Sequence, residues 1–291
     1  MNNKTRKIIR KYLNVSVAGT FLCTLFILFI LWVILVHVIT EGMGHINWSF
    51  LTESPSGGMK EGGIFPAIFG TAALVIIMTL VVVPIGVITA IYLHEYAHNS
   101  RLARIVRLAV NNLAGVPAIV FGLFGLGFFI QFIGKGIDGF FFNNELVFGQ
   151  PAIVWAALTL ALLTMPVVIV ATEEALRSIP NEIREASYAL GATKFQTIVR
   201  LVLPNAFSGI LTGAILAVSR GAGEVAPILF TGAAYFLPNL PGKLSDQFME
   251  LGYHIFVLST QSPNVDETKP ILYSTVLVLL VLTFLLNLAA I

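Results

Sequence analysis

The chain has 291 residues, of which 57% are hydrophobic and 11% charged. A soluble domain carries about a quarter of its residues charged, so this balance excludes a soluble enzyme and marks an integral membrane protein. The net charge of +2 gives no argument for a nucleic-acid partner, and the one cysteine, Cys23, lies in an apolar run, which excludes a disulfide framework within the chain.

Six stretches meet the requirement of about twenty mostly apolar residues for crossing a bilayer. The predicted spans are 15–40, 65–93, 107–133, 151–172, 205–232 and 270–291, an all-α polytopic arrangement read as one transmembrane domain over 1–291. Its amino terminus, MNNKTRKIIRKY, has the positive flank of a signal peptide. The apolar run that follows is longer than an h-region and meets no small-x-small site before HVITEG, so a retained first helix is expected.

The second span leads into His94-Glu95-Tyr96-Ala97-His98, which matches H-E-x-x-H, the pattern that holds zinc between two imidazoles with the glutamate as general base. A catalytic zinc needs a third protein ligand. His37, His45 and His254 fall on or near the opposite surface, roughly 30 Å away across the bilayer, and only Glu173 and Glu174 could approach. The motif therefore reads as a polar helix end with His and Glu facing headgroups, with an intramembrane zinc protease as the alternative.

Asn111 and Asn112 bring polar groups into the third span, in NNLAGVPAIVFGLFGLG; Thr164 and Pro166 interrupt the fourth, and Glu173 ends it. Pro117 and Pro166 free backbone carbonyls, which is tolerated where helices or water satisfy them. These are candidate pathway groups.

The connection over 173–204 includes RSIPNEIREASYALGATKFQTIVRLVLPNA, far longer than a minimal link between neighbouring helices. Pro180 suits a first helical turn with Ser178 as a possible cap, Ile183, Ala186 and Leu190 form an apolar stripe, and Glu182, Arg184 and Glu185 lie off it. Gly191 suits the left-handed residue that ends a helix. A second helical stretch, 194–203, runs to Pro204. The pattern allows either a short rigid helix that takes force from a docked partner or an amphipathic helix resting on the membrane.

In the fifth span Gly209, Gly213, Ala217 and Gly221 recur every four residues and predict a flat face for close helix contact. Arg220 and Glu224 lie deep in the same stretch. Intramembrane charge usually faces a bundle interior or a water-filled path, so Arg220 is the leading candidate for contact with an anion. Mutual neutralisation of the pair is the alternative.

Twelve Lys and Arg residues lie in the amino terminus, the second connection and the fourth; four lie in the other three connections. The positive-inside rule places the first group, and both termini, in the cytoplasm. The chain stops at Ala289-Ala290-Ile291 within apolar sequence, and a short charged tail is expected beyond it.

Glu185-Ala186-Ser187, Gly191 six positions after the glutamate, and Leu201-Val202-Leu203-Pro204 together resemble the EAA loop of permease subunits of ABC importers. Ser187 and Leu201 depart mildly from that pattern. The resemblance implies a type I importer permease with a MetI-like core over about 65–291, whose loop is a coupling helix seated in a separate ATPase. Coupling would fall to Glu185, Ala186, Ser187, Gly191, Leu201, Leu203 and Pro204, and the substrate pathway to Arg220, Glu224, Glu173, Asn111 and Asn112. NLAGVPAIVFGLFG, YLHEYA and SRGAGEVAPILFTGAA are similar to the phosphate-specific branch, the PstA-type subunits of the bacterial inner membrane. In that branch the frame around Glu95 belongs to the family pattern, which leaves the histidines incidental. It further implies a homologous permease (PstC), two ATPase copies (PstB) and a phosphate-binding protein (PstS), with surrounding membrane lipid. Sulfate or molybdate is the alternative substrate. Neither Gly134-Lys135 nor Gly242-Lys243 sits in a phosphate-cradling loop, so ATP and Mg are expected on the partner ATPase and no cofactor on this chain.

Overall fold

The computed structural model describes residues 3–57, 61–97, 100–262 and 264–289. His98 of the zinc-type motif and the last two residues lie outside them. In chain order the helices are α1 (Asn3–Gly42), α2 (Trp48–Thr52), α3 (Phe65–Ile91), α4 (Arg101–Leu113), α5 (Ala118–Phe124), α6 (Lys135–Phe141), α7 (Ile153–Arg177), α8 (Asn181–Ala189), α9 (Lys194–Thr197), α10 (Leu203–Gly221), α11 (Leu251–Thr260) and α12 (Val265–Ala289). Wide π-helical turns continue α3 over Tyr92–Tyr96, join α5 to α6 over Gly125–Gly134, and join α9 to α10 over Ile198–Val202. A two-residue hairpin, β1 (Pro55–Ser56) with β2 (Glu61–Gly62), sits between α2 and α3.

Six described helical stretches are long and apolar enough to cross a membrane: Val17–His45, Phe65–Tyr96, Ala118–Phe141, Ile153–Arg177, Lys194–Gly221 and Asp266–Ala289. Four agree with the sequence reading to within a few residues and two are displaced. The third crossing begins at Ala118 instead of 107, because Arg101–Leu113 forms the separate helix α4, with Ser100 accepting from the Ala103 amide at its start. Pro117 stands at the N-cap of α5, outside any helix interior. The fifth crossing is displaced the other way. It starts at Lys194 behind a reciprocal cap between Thr193 and Gln196, runs through Pro204 and stops at Gly221. The residues expected to complete it, 222–232, are mostly irregular.

α7 is the spine. Its Ala156, Ala157, Leu160, Ala161 and Val168 pack with Leu74, Val75, Met78 and Val82 of α3 and with Ala217 and Val218 of α10. Lipid is as apolar as leucine, so association here rests on close contact between small residues. The four-residue repeat in α10 does this. A side chain at Gly209 would strike Ala175, at Gly213 Ala171, and at Gly221 Met78. α7 is unbroken through Pro166, contrary to the expected interruption, and the Thr164 hydroxyl donates to the Leu160 carbonyl at 2.8 Å.

α1 is largely exposed along the bundle and leans on α12, where His37 meets Tyr273 at 3.1 Å and the Ser274 hydroxyl donates to the Gly42 carbonyl. At the end away from 173–204, Asp138 accepts the amides of Val147, Phe148 and Gly149 and so closes the loop after α6. The long connection 233–269 holds a helix that hydropathy did not signal, α11, whose N-cap Glu250 accepts the amides of Gly252 and Tyr253.

Candidate functional site

Two sites emerge, one where α10 stops and one at the elbow, the segment 173–204. Gly221 lies against Met78, near the middle of the Phe65–Tyr96 crossing, and Met78 also meets Thr164 near the middle of α7. α10 therefore ends at mid-depth. Non-helical backbone at membrane depth is stable only when buried in protein or facing a water-filled cavity. Here Gly122 and Gly125 leave room for it: side chains at those positions would meet the Ala226 carbonyl and Thr231.

Arg220 occupies the last turn of α10, where the helix dipole favours a cation. Its Nε donates to Glu224 Oε1 at 3.2 Å, and the two side chains remain 38% and 25% exposed. Among the described residues the Nη groups make no other hydrogen bond. Beside it the Ser219 hydroxyl donates to Asn287 Oδ1 at 2.8 Å. The site thus offers a half-open guanidinium whose planar donors suit an oxyanion.

The other proposed pathway residues lie elsewhere. Glu173 is nine residues beyond Thr164, about 13 Å along the helix at 1.5 Å per residue. It accepts from Arg107 Nε at 3.0 Å, while Arg107 Nη2 donates to the Leu93 carbonyl, tying α3, α4 and α7 together. Asn111 and Asn112 are exposed on the polar side of α4. Only Arg220 and Glu224 are brought into contact with each other.

At the elbow, Pro180 is the N-cap residue of α8, and the Ser178 hydroxyl turns back to the Ala175 carbonyl rather than capping α8. Gly191 has φ +84°, and the amides of Gly191 and Ala192 bond the carbonyls of Tyr188 and Ser187, the left-handed stop that the sequence indicated. Ser187 meets Thr197 hydroxyl to hydroxyl at 2.8 Å, bracing α8 on α9. Leu201, Leu203 and Pro204 lie in the helix that carries the elbow into the bundle, next to buried Val202.

The polarity of α8 is inverted relative to a self-sufficient surface helix. Ile183, Ala186 and Leu190 are exposed, Leu190 at 89%, with Glu182 and Glu185 beside them and Phe195 nearby. Arg184, which the pattern set merely off the stripe, is buried. Its Nη2 donates to Glu95 Oε1 at 2.9 Å and to the Leu176 carbonyl, and its Nη1 to the Ile179 carbonyl.

Glu95 is the residue the sequence reading undervalued. It does not face headgroups; its side chain is 5% exposed, held in the ion pair with Arg184. Lys194 Nζ donates to the Glu95 carbonyl and lies 4.8 Å over the Tyr96 ring. A cavity of about 590 Å³ lined by His94, Arg177, Asn181 and this pair opens alongside. The available signal was an acid between two tyrosines at a helix end, in a chain with an arginine inside a long connection.

Residues 82–290 match the family described as binding-protein-dependent transport system inner membrane component. A probable ABC transporter permease, YqgI of Bacillus subtilis, is 32% identical over 97% of this chain and 95% of its own length. Phosphate transport system permease protein PstA 1 of Mycobacterium tuberculosis is 40% identical over 76% of this chain and 70% of its own. Among solved structures, a bacterial alginate ABC transporter superposes with a TM-score of 0.66 over 98% of this chain and 94% of its own, and the MetNI methionine ABC transporter with 0.54 over 78% and 91%. At 15% and 19% identity these two speak for the fold alone. A six-span bundle with an elbow, matched along most of its length by such relatives, is a transporter component of the inner membrane: the chain belongs to the family of binding-protein-dependent transport system inner membrane components, among its PstA-type permeases.

Proposed function

We propose that this chain forms half of the translocation pathway of an ATP-driven phosphate importer and that the elbow seats in a separate ATPase. The observation that carries the reading is the inverted polarity of α8. An exposed apolar stripe flanked by acids, on a helix whose one buried side chain is an arginine, is suited to a partner surface and poorly suited to water or lipid. The basic residues gathered at the elbow end support a cytoplasmic placement of that end and of both termini.

The partners would be PstC beside this chain, two copies of PstB under the elbows and PstS on the opposite face. ATP and Mg would be bound by PstB, with no nucleotide site on this chain. Phosphate is the substrate named for the PstA relatives, and the open guanidinium of Arg220 at mid-depth is compatible with it. A single modest contact suits conduction, which requires release as well as capture. The test is purification of the complex through a tag on this chain, followed by uptake of labelled phosphate into proteoliposomes with sulfate in competition. Phosphate-selective uptake that needs ATP and all partners supports the reading; uptake by this chain alone, or preference for sulfate, overturns it.

A further inference from the structure

The elbow helix α8 is covalently continuous with two crossings, α7 through 178–180 and α10 through 190–193, α9 and the π-helical turn Ile198–Val202. It has no covalent link to α3. Yet the hydrogen bonds that hold it converge on α3. Arg184 of α8 grips Glu95 with both Nε, at 3.3 Å, and Nη2, while the same guanidinium bonds the Leu176 and Ile179 carbonyls at the end of α7. Lys194, the first residue of α9, adds a bond to the Glu95 carbonyl and the contact over Tyr96. The acceptor end of α3 is a wide π-helical turn, a form frequent at functional positions.

A buried ion pair is a poor source of stability, since desolvation offsets most of its attraction; its better-attested use is to fix a register. Here the register fixed is that of α8 against α3. Farther along, α3 presents Met78 to Gly221, the neighbour of Arg220. A displacement of α8 held to Glu95 thus moves the helix that packs beside the candidate substrate contact. We infer that Glu95, with Arg184 and Lys194, is a positioning latch that transmits movement of the elbow to α3, so that the pathway is driven from α3 as well as from α10. This rests on the importer reading above.

The test uses the assembled complex in proteoliposomes and measures phosphate taken up per ATP hydrolysed. Glu95→Gln keeps size and an oxygen acceptor but removes the charge; Glu95→Asp keeps the charge. The ratio is expected to fall roughly 10-fold in Glu95→Gln, the scale of a coupling loss, with ATP hydrolysis retained, and to recover largely in Glu95→Asp. An unchanged ratio in Glu95→Gln overturns the latch. Should that variant fail to assemble, Lys194→Met, at an exposed side chain, carries the same measurement: a ratio lowered several-fold supports the latch and an unchanged one overturns it. If the unaltered complex shows no ATP-dependent phosphate uptake, the importer reading has failed instead.

Discussion

Two Arg–Glu pairs in this chain show how setting decides what the same two side chains do. Arg184 and Glu95 meet across 89 positions at 2.9 Å, with 9% and 5% of their side chains exposed, and the guanidinium also bonds two backbone carbonyls. Arg220 and Glu224 are four positions apart at 3.2 Å, and each remains partly exposed. The first pair has its donors committed to the protein. The second leaves the Nη donors of Arg220 open where α10 stops part-way along the bundle, a setting in which charge usually faces a bundle interior or a water-filled path.

The comparison is broken most severely by Arg184→Gln, which leaves Glu95 buried without its cation and two carbonyls without donors. A loss of about 3–5 kcal/mol is expected, read as loss of assembled complex or a large fall in Tm. Arg220→Gln should do the opposite. Assembly is retained and phosphate uptake drops by about 100-fold, equivalent to two charge-assisted hydrogen bonds at ~1.5 kcal/mol each. If that variant instead fails to assemble, the open pair is packing and the contrast collapses.

Replacing Gly191 by Pro attacks the elbow without touching either pair. The φ of +84° is closed to proline, and the amide bonded to Tyr188 is lost. Protein is expected in the membrane with ATP hydrolysis no longer responsive to the binding protein, as for Glu185→Lys on the exposed face. Asp138→Asn tests a carboxylate with a purely structural task. Weakening its bonds to three loop amides should lower stability by about 1–2 kcal/mol and leave the apparent KM for phosphate unchanged. The smallest effect belongs to Lys269→Met, which removes an exposed pair with Asp266; a solvent-screened surface pair contributes little, so thermal melting should be unchanged within error.

The elbow was legible because its signals are local: a helix stop at Gly191, an apolar stripe, and E-A-S at fixed spacing. The flat face of α10 was legible for the same reason, since a four-residue repeat lands on one side of any helix. The α4 region misled because its second half runs without a charged break into the apolar stretch that follows, although its Arg and Asn side chains gather on one face, which lets the helix stay outside the crossing. The end of α10 misled because 225–230 continues the apolar run past Glu224, but the Gly and Pro residues of 222–232 leave the helix where Gly122 and Gly125 make room for bare backbone.

Composition, charge asymmetry and short-range pattern by themselves determined the membrane class, the six crossings and the existence of a long helical connection between the fourth crossing and the fifth. Those properties depend on residues close together in the chain, where periodicity and hydropathy act directly. Only the tertiary structure decided that a glutamate in a zinc-like motif belongs to Arg184, that Glu173 belongs to Arg107, and that the fifth crossing ends halfway. Each depends on which surfaces meet after folding, and the desolvation that selects a partner for a buried charge acts between groups far apart in sequence.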